Sequence, residues 1–203
     1  MTMIKICGMT DINAVRSAVD AGADAIGFVF APSVRRVTPQ QASDMTAQVP
    51  GHVRKVAVML HPTPEEWQRV FEEFGPDVLQ TDAEDFANLQ VADSIERWPV
   101  LREGGIASND ELPDTYLYEG KDSGTGQTVN WQLAAGLARR GRMILAGGLS
   151  AANVGRAIRD VQPFGVDVSS AVESQPGQKD EAKIRAFIDA ARKSERAEEE
   201  ATE

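Results

Sequence analysis

The sequence predicts a single α/β domain, a closed parallel (β/α)8 barrel. Three observations carry that expectation. Eight strand-like apolar runs follow one another along the 203 residues. Stretches with helical apolar spacing separate most of them, and several of those stretches open on a marked helix start. Regular strand–helix alternation of this kind builds a parallel sheet, and eight units close it into a barrel.

The first run, residues 3–7, stops at Gly8, and Thr10 or Asp11 starts a helix over 12–21 with Ile12, Val15, Ala18 and Val19 on one face. The second run is 25–30. Thr38 before Pro39 opens a helix over 39–48, the pattern of a capping hydroxyl followed by a proline whose missing N–H costs nothing there. The third run, 54–59, is followed by Thr63 and Pro64 and a helix over 64–74. The fourth run, 78–80, precedes helical spacing at 86–98, and the fifth is 100–102. "EGGIASNDELPD" then leaves room for about one helical turn before Pro113. The sixth run, 115–119, leads through a glycine-rich stretch to a helix over 131–140. The seventh, 142–146, is followed by Ser150 and a helix over 151–161. The eighth, 165–168, leads to a last helix over 179–192. The barrel is expected to span 1–192. Residues 193–203 form an acidic tail with no apolar face, expected to be disordered. An open doubly wound sheet is the competing architecture, but it usually opens on a glycine-rich dinucleotide loop, and "CGMTD" is not one.

Composition narrows the class. No apolar run approaches the ~18 residues of a membrane span, and no secretory leader is expected at the N-terminus. One cysteine rules out an internal disulfide and suits a reducing, cytoplasmic setting. A net charge of −10 argues against a general nucleic-acid binder. Two histidines, neither beside strand-end carboxylates in an obvious set, argue against a catalytic metal. The expected partner is a small phosphorylated molecule, with no nucleic acid or membrane, bound by a monomer or homodimer.

Parallel barrels carry their sites at the C-terminal ends of the strands. Cys7 ends the first strand. Ser33 and Arg35 follow the second, Glu119 ends the sixth, Gly147 and Gly148 follow the seventh, and Ser169 and Ser170 follow the eighth. A lone cysteine in an apolar strand is ordinarily a core residue. Three segments favour a phosphate: "DSGTGQ" (122–127), "AGGLS" (146–150) and "DVSSAVE" (167–173), the last able to present N–H groups of a short helix start. Any one of these also reads as a plain turn.

Taken together, "KICGMTD", "GADAIGFVFAPSVRRVTP", "SGTGQTVNW", "LAGGLSAANV" and "GVDVSSAVESQPGQKD" resemble the phosphoribosylanthranilate isomerase family of tryptophan biosynthesis, in order and spacing, from about residue 3 to 190. The resemblance implies an Amadori rearrangement of N-(5-phosphoribosyl)anthranilate to 1-(2-carboxyphenylamino)-1-deoxyribulose 5-phosphate, with no metal or other cofactor. It implies Cys7 as general base, and a thiol that titrates near ~8.5 needs local help, for which a helix N-terminus after the first strand is one source. It implies Arg35 as the partner of the anthranilate carboxylate, with Arg36 the alternative. It also implies a phosphate site at Gly126, Gly148, Ser169, Ser170 and Ala171.

The general acid departs from the family pattern. The family aspartate falls on Glu119, with Asp122 a nearby alternative. Asp82 stands where the family commonly has histidine, and Ala171 where it has glycine. Two rivals follow: another metal-free sugar-phosphate isomerase or epimerase, and a degenerate barrel that binds a phosphorylated ligand without turnover.

Overall fold

The computed structural model describes residues 1–106, 111–121 and 128–202. Eight parallel strands close into a barrel in chain order: β1 (Met3–Cys7), β2 (Ala25–Val29), β3 (Arg54–Val58), β4 (Val78–Asp82), β5 (Glu96–Arg102), β6 (Thr115–Glu119), β7 (Arg142–Leu145) and β8 (Gly165–Val168). β8 closes the ring on β1, with Lys5 opposite Asp167 and Ile6 opposite Val168. The expected TIM-barrel architecture is present.

Alternation along each strand divides the molecule into two cores. One parity of residues, Ala25, Val56, Val78, Trp98, Val100, Leu117, Ile144 and Ala146, fills the barrel interior. The other parity, including Ile4, Ile6, Phe28, Leu79, Tyr116 and Val166, packs outward against the helices. Buried on both faces, the strands read as near-continuous apolar runs, which is why they are visible in sequence.

The helices are α1 (Ile12–Asp20), α2 (Pro39–Thr46), α3 (Pro64–Phe74), α4 (Trp131–Ala138), α5 (Val154–Val161) and α6 (Glu181–Thr202). Asp11 caps α1 by accepting from Asn13 and Ala14 N–H. Thr38 and Thr63 form reciprocal capping boxes with Gln41 and Glu66, each with proline in the first turn. Ser150 opens a turn rather than α5 itself; Asn153 is the cap residue, and its amide staples the loop by accepting from Ser150 N–H and donating to the Gly148 carbonyl.

One expectation is corrected. No helix covers 86–98. A short 3-10 turn, Ala83–Ala87, is followed by irregular chain, and β5 begins at Glu96. The reason is Trp98: together with Val100 it is needed inside the barrel, so the chain must already be extended there. The last helix, α6, runs from Glu181 to Thr202. Within it Ser194 is buried, and Glu195 accepts from the Thr2 N–H and pairs with Arg192. Finally, an antiparallel hairpin that the sequence reading did not anticipate, β9 (Glu173–Gln175) and β10 (Gln178–Lys179), folds over the end of β8. No described helix is long and apolar enough to cross a membrane.

Candidate active site

Gly8 is where the site comes together. It follows the first strand with φ +78°, a conformation that favours glycine. A Cβ there would stand 2.6 Å from Arg35 Cδ and 3.1 Å from Ser169 Oγ. The chain after β1 thus gathers the loop after β2 and the end of β8 around Cys7. The Cys7 side chain is buried and unpaired by any disulfide.

Arg35 lies across this point, held by Glu173. Its Nε donates to Glu173 Oε1 at 2.7 Å and its Nη2 to Oε2 at 2.8 Å. One two-donor edge of the guanidinium is therefore committed. The other, Nη1 with the second Nη2 N–H, remains, and Nη1 has no hydrogen-bond partner among the described residues. That end is suited to a second bidentate carboxylate. Arg36, the alternative, is exposed.

Glu173 is a hub. Lys179 Nζ donates to its Oε1 at 2.8 Å and to the Ser169 carbonyl at 3.0 Å, and Gly177 N–H donates to its Oε2 at 3.3 Å. Burial would raise the carboxyl, but the bonds from Arg35 and Lys179 override it and bring it down to about 2. Gly177 in turn has φ +82° and packs on the Val34 carbonyl, 2.7 Å from where a Cβ would be. Thr10 donates to the Gly177 carbonyl at 2.7 Å. The segment 173–180 is thereby fastened to the loops after β1 and β2.

Beneath Cys7 in the barrel interior lies Lys5. It is fully buried, and its Nζ donates to Asp167 Oδ1 at 2.7 Å. Burial pushes the Cys7 thiol up, with the Lys5 charge the largest opposing influence and Lys179 a smaller one. The expected helix N-terminus is not the nearest help: Asp11, four residues on, already accepts from two N–H groups of that terminus.

On the other wall of the mouth, three strands from β1 by way of β8 and β7, Glu119 ends β6. Its side chain is 16% exposed, and Arg102 Nη2 lies 3.3 Å from Oε1. Arg102 Nη1 binds Asp82 Oδ1 at 2.7 Å, so the family departure at Asp82 has a partner on β5. His61, Asp82 and Glu84 bring potential metal-ligand atoms within 4.8 Å of one another. Arg102 already occupies one Asp82 oxygen and His61 Nδ1 is bonded to Asp85, which leaves a poor cation cage.

Of the phosphate residues expected from sequence, Gly148 follows β7 and Ser169, Ser170 and Ala171 follow β8, its neighbour in the barrel. Gly147 and Gly148 adopt φ +89° and +62°, which explains the paired glycines. Ser170–Val172 is a 3-10 turn, and the N–H groups of its first residues, Ser170 and Ala171, have no acceptor within the turn. Both residues are exposed. Gly126 and Asp122 lie outside the described residues.

Sequence reasoning missed Lys5, Asp167, Glu173 and Lys179, although all four sit inside the motifs "KICG" and "DVSS…VE…G-x-KD". It also missed Gln80, buried on β4, whose Oε1 has no hydrogen-bond partner among the described residues. A buried charge in an apolar strand, as at Lys5, was the available signal.

Residues 4–190 match the family model described as N-(5'phosphoribosyl)anthranilate (PRA) isomerase. The chain belongs to the phosphoribosylanthranilate isomerase family. A relative from Pelobacter propionicus, N-(5'-phosphoribosyl)anthranilate isomerase, is 38% identical over 203 residues, covering 93% of this chain and 94% of its own. The crystal structure of phosphoribosyl anthranilate isomerase from Thermus thermophilus superposes with a TM-score of 0.83 at 30% identity, over 95% of this chain and 99% of that one. Another family structure, in complex with reduced 1-(o-carboxyphenylamino)-1-deoxyribulose 5-phosphate, superposes with a TM-score of 0.79 at 30% identity, over 95% and 100%. The activity is therefore PRA isomerisation, a step of tryptophan biosynthesis.

Proposed function

We propose that this chain carries out the Amadori rearrangement by general acid–base catalysis across the barrel mouth, with Glu119 as acid and Cys7 as base. The reading is carried by one arrangement: a buried thiol on β1, and a largely buried carboxyl on β6 across the mouth.

Glu119 protonates the furanose ring oxygen. The C1–O bond breaks as the anilino nitrogen's lone pair forms the C1=N Schiff base. The Cys7 thiolate then takes the C2 proton, and the electron pair left behind forms C1=C2 and neutralises the nitrogen. The enolamine loses its hydroxyl proton and gains one at C1, giving the ketone. No atom is gained or lost, so the residues need only move protons and hold geometry.

Arg35 grips the anthranilate carboxylate with its Nη1/Nη2 end, its other edge being fixed on Glu173. The phosphate is received by Gly126, Gly148, Ser169, Ser170 and the Ala171 N–H, as in the family motifs. The phosphorylated analogue held by a relative supports that choice of substrate. A cytoplasmic setting goes with such a biosynthetic step.

The test is direct. The purified chain, given N-(5-phosphoribosyl)anthranilate, is expected to abolish the substrate's fluorescence with saturation kinetics, and inorganic phosphate should compete. Binding without fluorescence loss would favour the degenerate-barrel reading.

A further inference from the structure

Lys5 is a fully buried cation inside the barrel, and nothing in the acid–base scheme uses it. Its Nζ meets Asp167 Oδ1 at 2.7 Å, and Asp167 is itself 11% exposed. An ion pair this deep does little for stability that a well-packed apolar pair would not do. Its location suggests another use. Gly27, paired with Cys7 across β1 and β2, leaves open a small space. A Cβ at Gly27 would stand 3.0 Å from Cys7 Sγ and 3.2 Å from Lys5 Nζ. The absent side chain is what admits thiol and ammonium side by side.

The charges around Cys7 do not balance while it is a thiol. Among the described residues, three cations stand there: Lys5 on its own strand, Arg35 from the loop after β2, and Lys179 from β10. Two carboxylates answer them, Asp167 on β8 and Glu173 on β9. Asp167 serves Lys5, and Glu173 is shared by Arg35 and Lys179. One positive charge is left over, and a Cys7 thiolate would neutralise it.

We infer that Lys5 is a positioning residue for the reaction: its ammonium, oriented by Asp167, stabilises the Cys7 thiolate and so supplies the base. The inference rests on the reading of Cys7 as general base. The influence of Lys5 on the thiol has the required sign, against a burial that holds the thiol above its ordinary value. Burial would lower the Lys5 ammonium, yet the charges of Asp167 and then Cys7 hold it above its ordinary value. Among the influences on Cys7, burial and Asp167 oppose ionisation, whereas Lys5 and Lys179 favour it.

Cys7 is the chain's only cysteine, so thiolate ultraviolet absorbance against pH reads one thiol, with the Cys7→Ser chain giving the baseline for Tyr116 and Tyr118, which ionise at about 12. Lys5→Met is expected to move the thiolate midpoint up. An opposite charge at this range is worth about one to three pKa units, so the thiolate fraction near neutral pH should fall about tenfold or more. The acid limb of the kcat/KM profile should move with it, and Lys5→Arg should restore most of the shift. Asp167→Asn should move the midpoint the other way, down, because it removes a competing carboxylate and leaves the cation. A folded Lys5→Met chain with an unmoved midpoint overturns the inference. If Lys5→Met does not fold, Asp167→Asn decides: a midpoint that stays or rises overturns it. A Cys7→Ser chain with full turnover would refute the base assignment, while the thiolate curves would still report whether Lys5 acts on the thiol.

Discussion

Replacing Glu173 with glutamine should loosen both the fold and the substrate grip, by an amount that depends on pH in a defined direction. In the folded chain this carboxyl is brought from 4.5 to about 2, and its side chain is only 4% exposed. At about 1.4 kcal/mol per pKa unit, the ionised carboxylate contributes about 3 kcal/mol. The folded value is depressed, so the contribution is fully present above about pH 4.5. It is lost as pH falls toward 2, with about half gone by pH 3. Glutamine cannot ionise and leaves Arg35 and Lys179 without their counter-ion. Urea unfolding at neutral pH should therefore show Glu173→Gln less stable by about 3 kcal/mol, within the range for breaking a buried pair. The gap should narrow below about pH 4.5. In the fluorescence assay, the freed Arg35 should raise KM. A gap under about 1 kcal/mol at neutral pH, or one that stays constant down to about pH 3, would refute the hub assignment.

Gly8→Ala is expected to cost about 1–2 kcal/mol from the left-handed backbone alone, and a Cβ 2.6 Å from Arg35 Cδ should also displace that side chain. Thermal unfolding and kcat/KM should both fall, and a chain unchanged in either would contradict the packing described. Arg35→Ala should raise KM strongly with part of the loss in kcat, and unchanged efficiency would move the role to Arg36. Glu119→Gln should lower kcat by about 100-fold or more, in the usual range for a general acid. Glu119→Asp then tells whether the strand end suits the longer side chain: an equal or faster rate places it where an aspartate would serve, and a loss shows that the mouth has adjusted to glutamate.

Much of the barrel was legible because its strands are apolar on both faces. β1 and β6 have the expected bounds, as does β8. The capped starts of α2 and α3 were legible from Thr38–Pro39 and Thr63–Pro64. The region after β4 was not, because Phe86, Leu89 and Ile95 mimic helical spacing. What decides the matter is long-range, the need for Trp98 inside the barrel. The site divides in the same way. Cys7, Glu119 and Arg35 were named from motif positions, and the structure brings Cys7 and Arg35 together at Gly8. The ion pairs that organise the site join residues 162 and 138 positions apart, Lys5 with Asp167 and Arg35 with Glu173. No local pattern reports such a pairing, even though each partner sits in plain view.

The central claim is that Cys7 removes the C2 proton. It is tested most directly by the single-turnover rate of fluorescence loss for Cys7→Ser at neutral pH, with circular dichroism matched to the parent chain. A serine hydroxyl fills nearly the same volume and is a far weaker base, so the account predicts that the chemical step is almost abolished while the substrate still binds. A Cys7→Ser chain that turns over at the parent rate would contradict it.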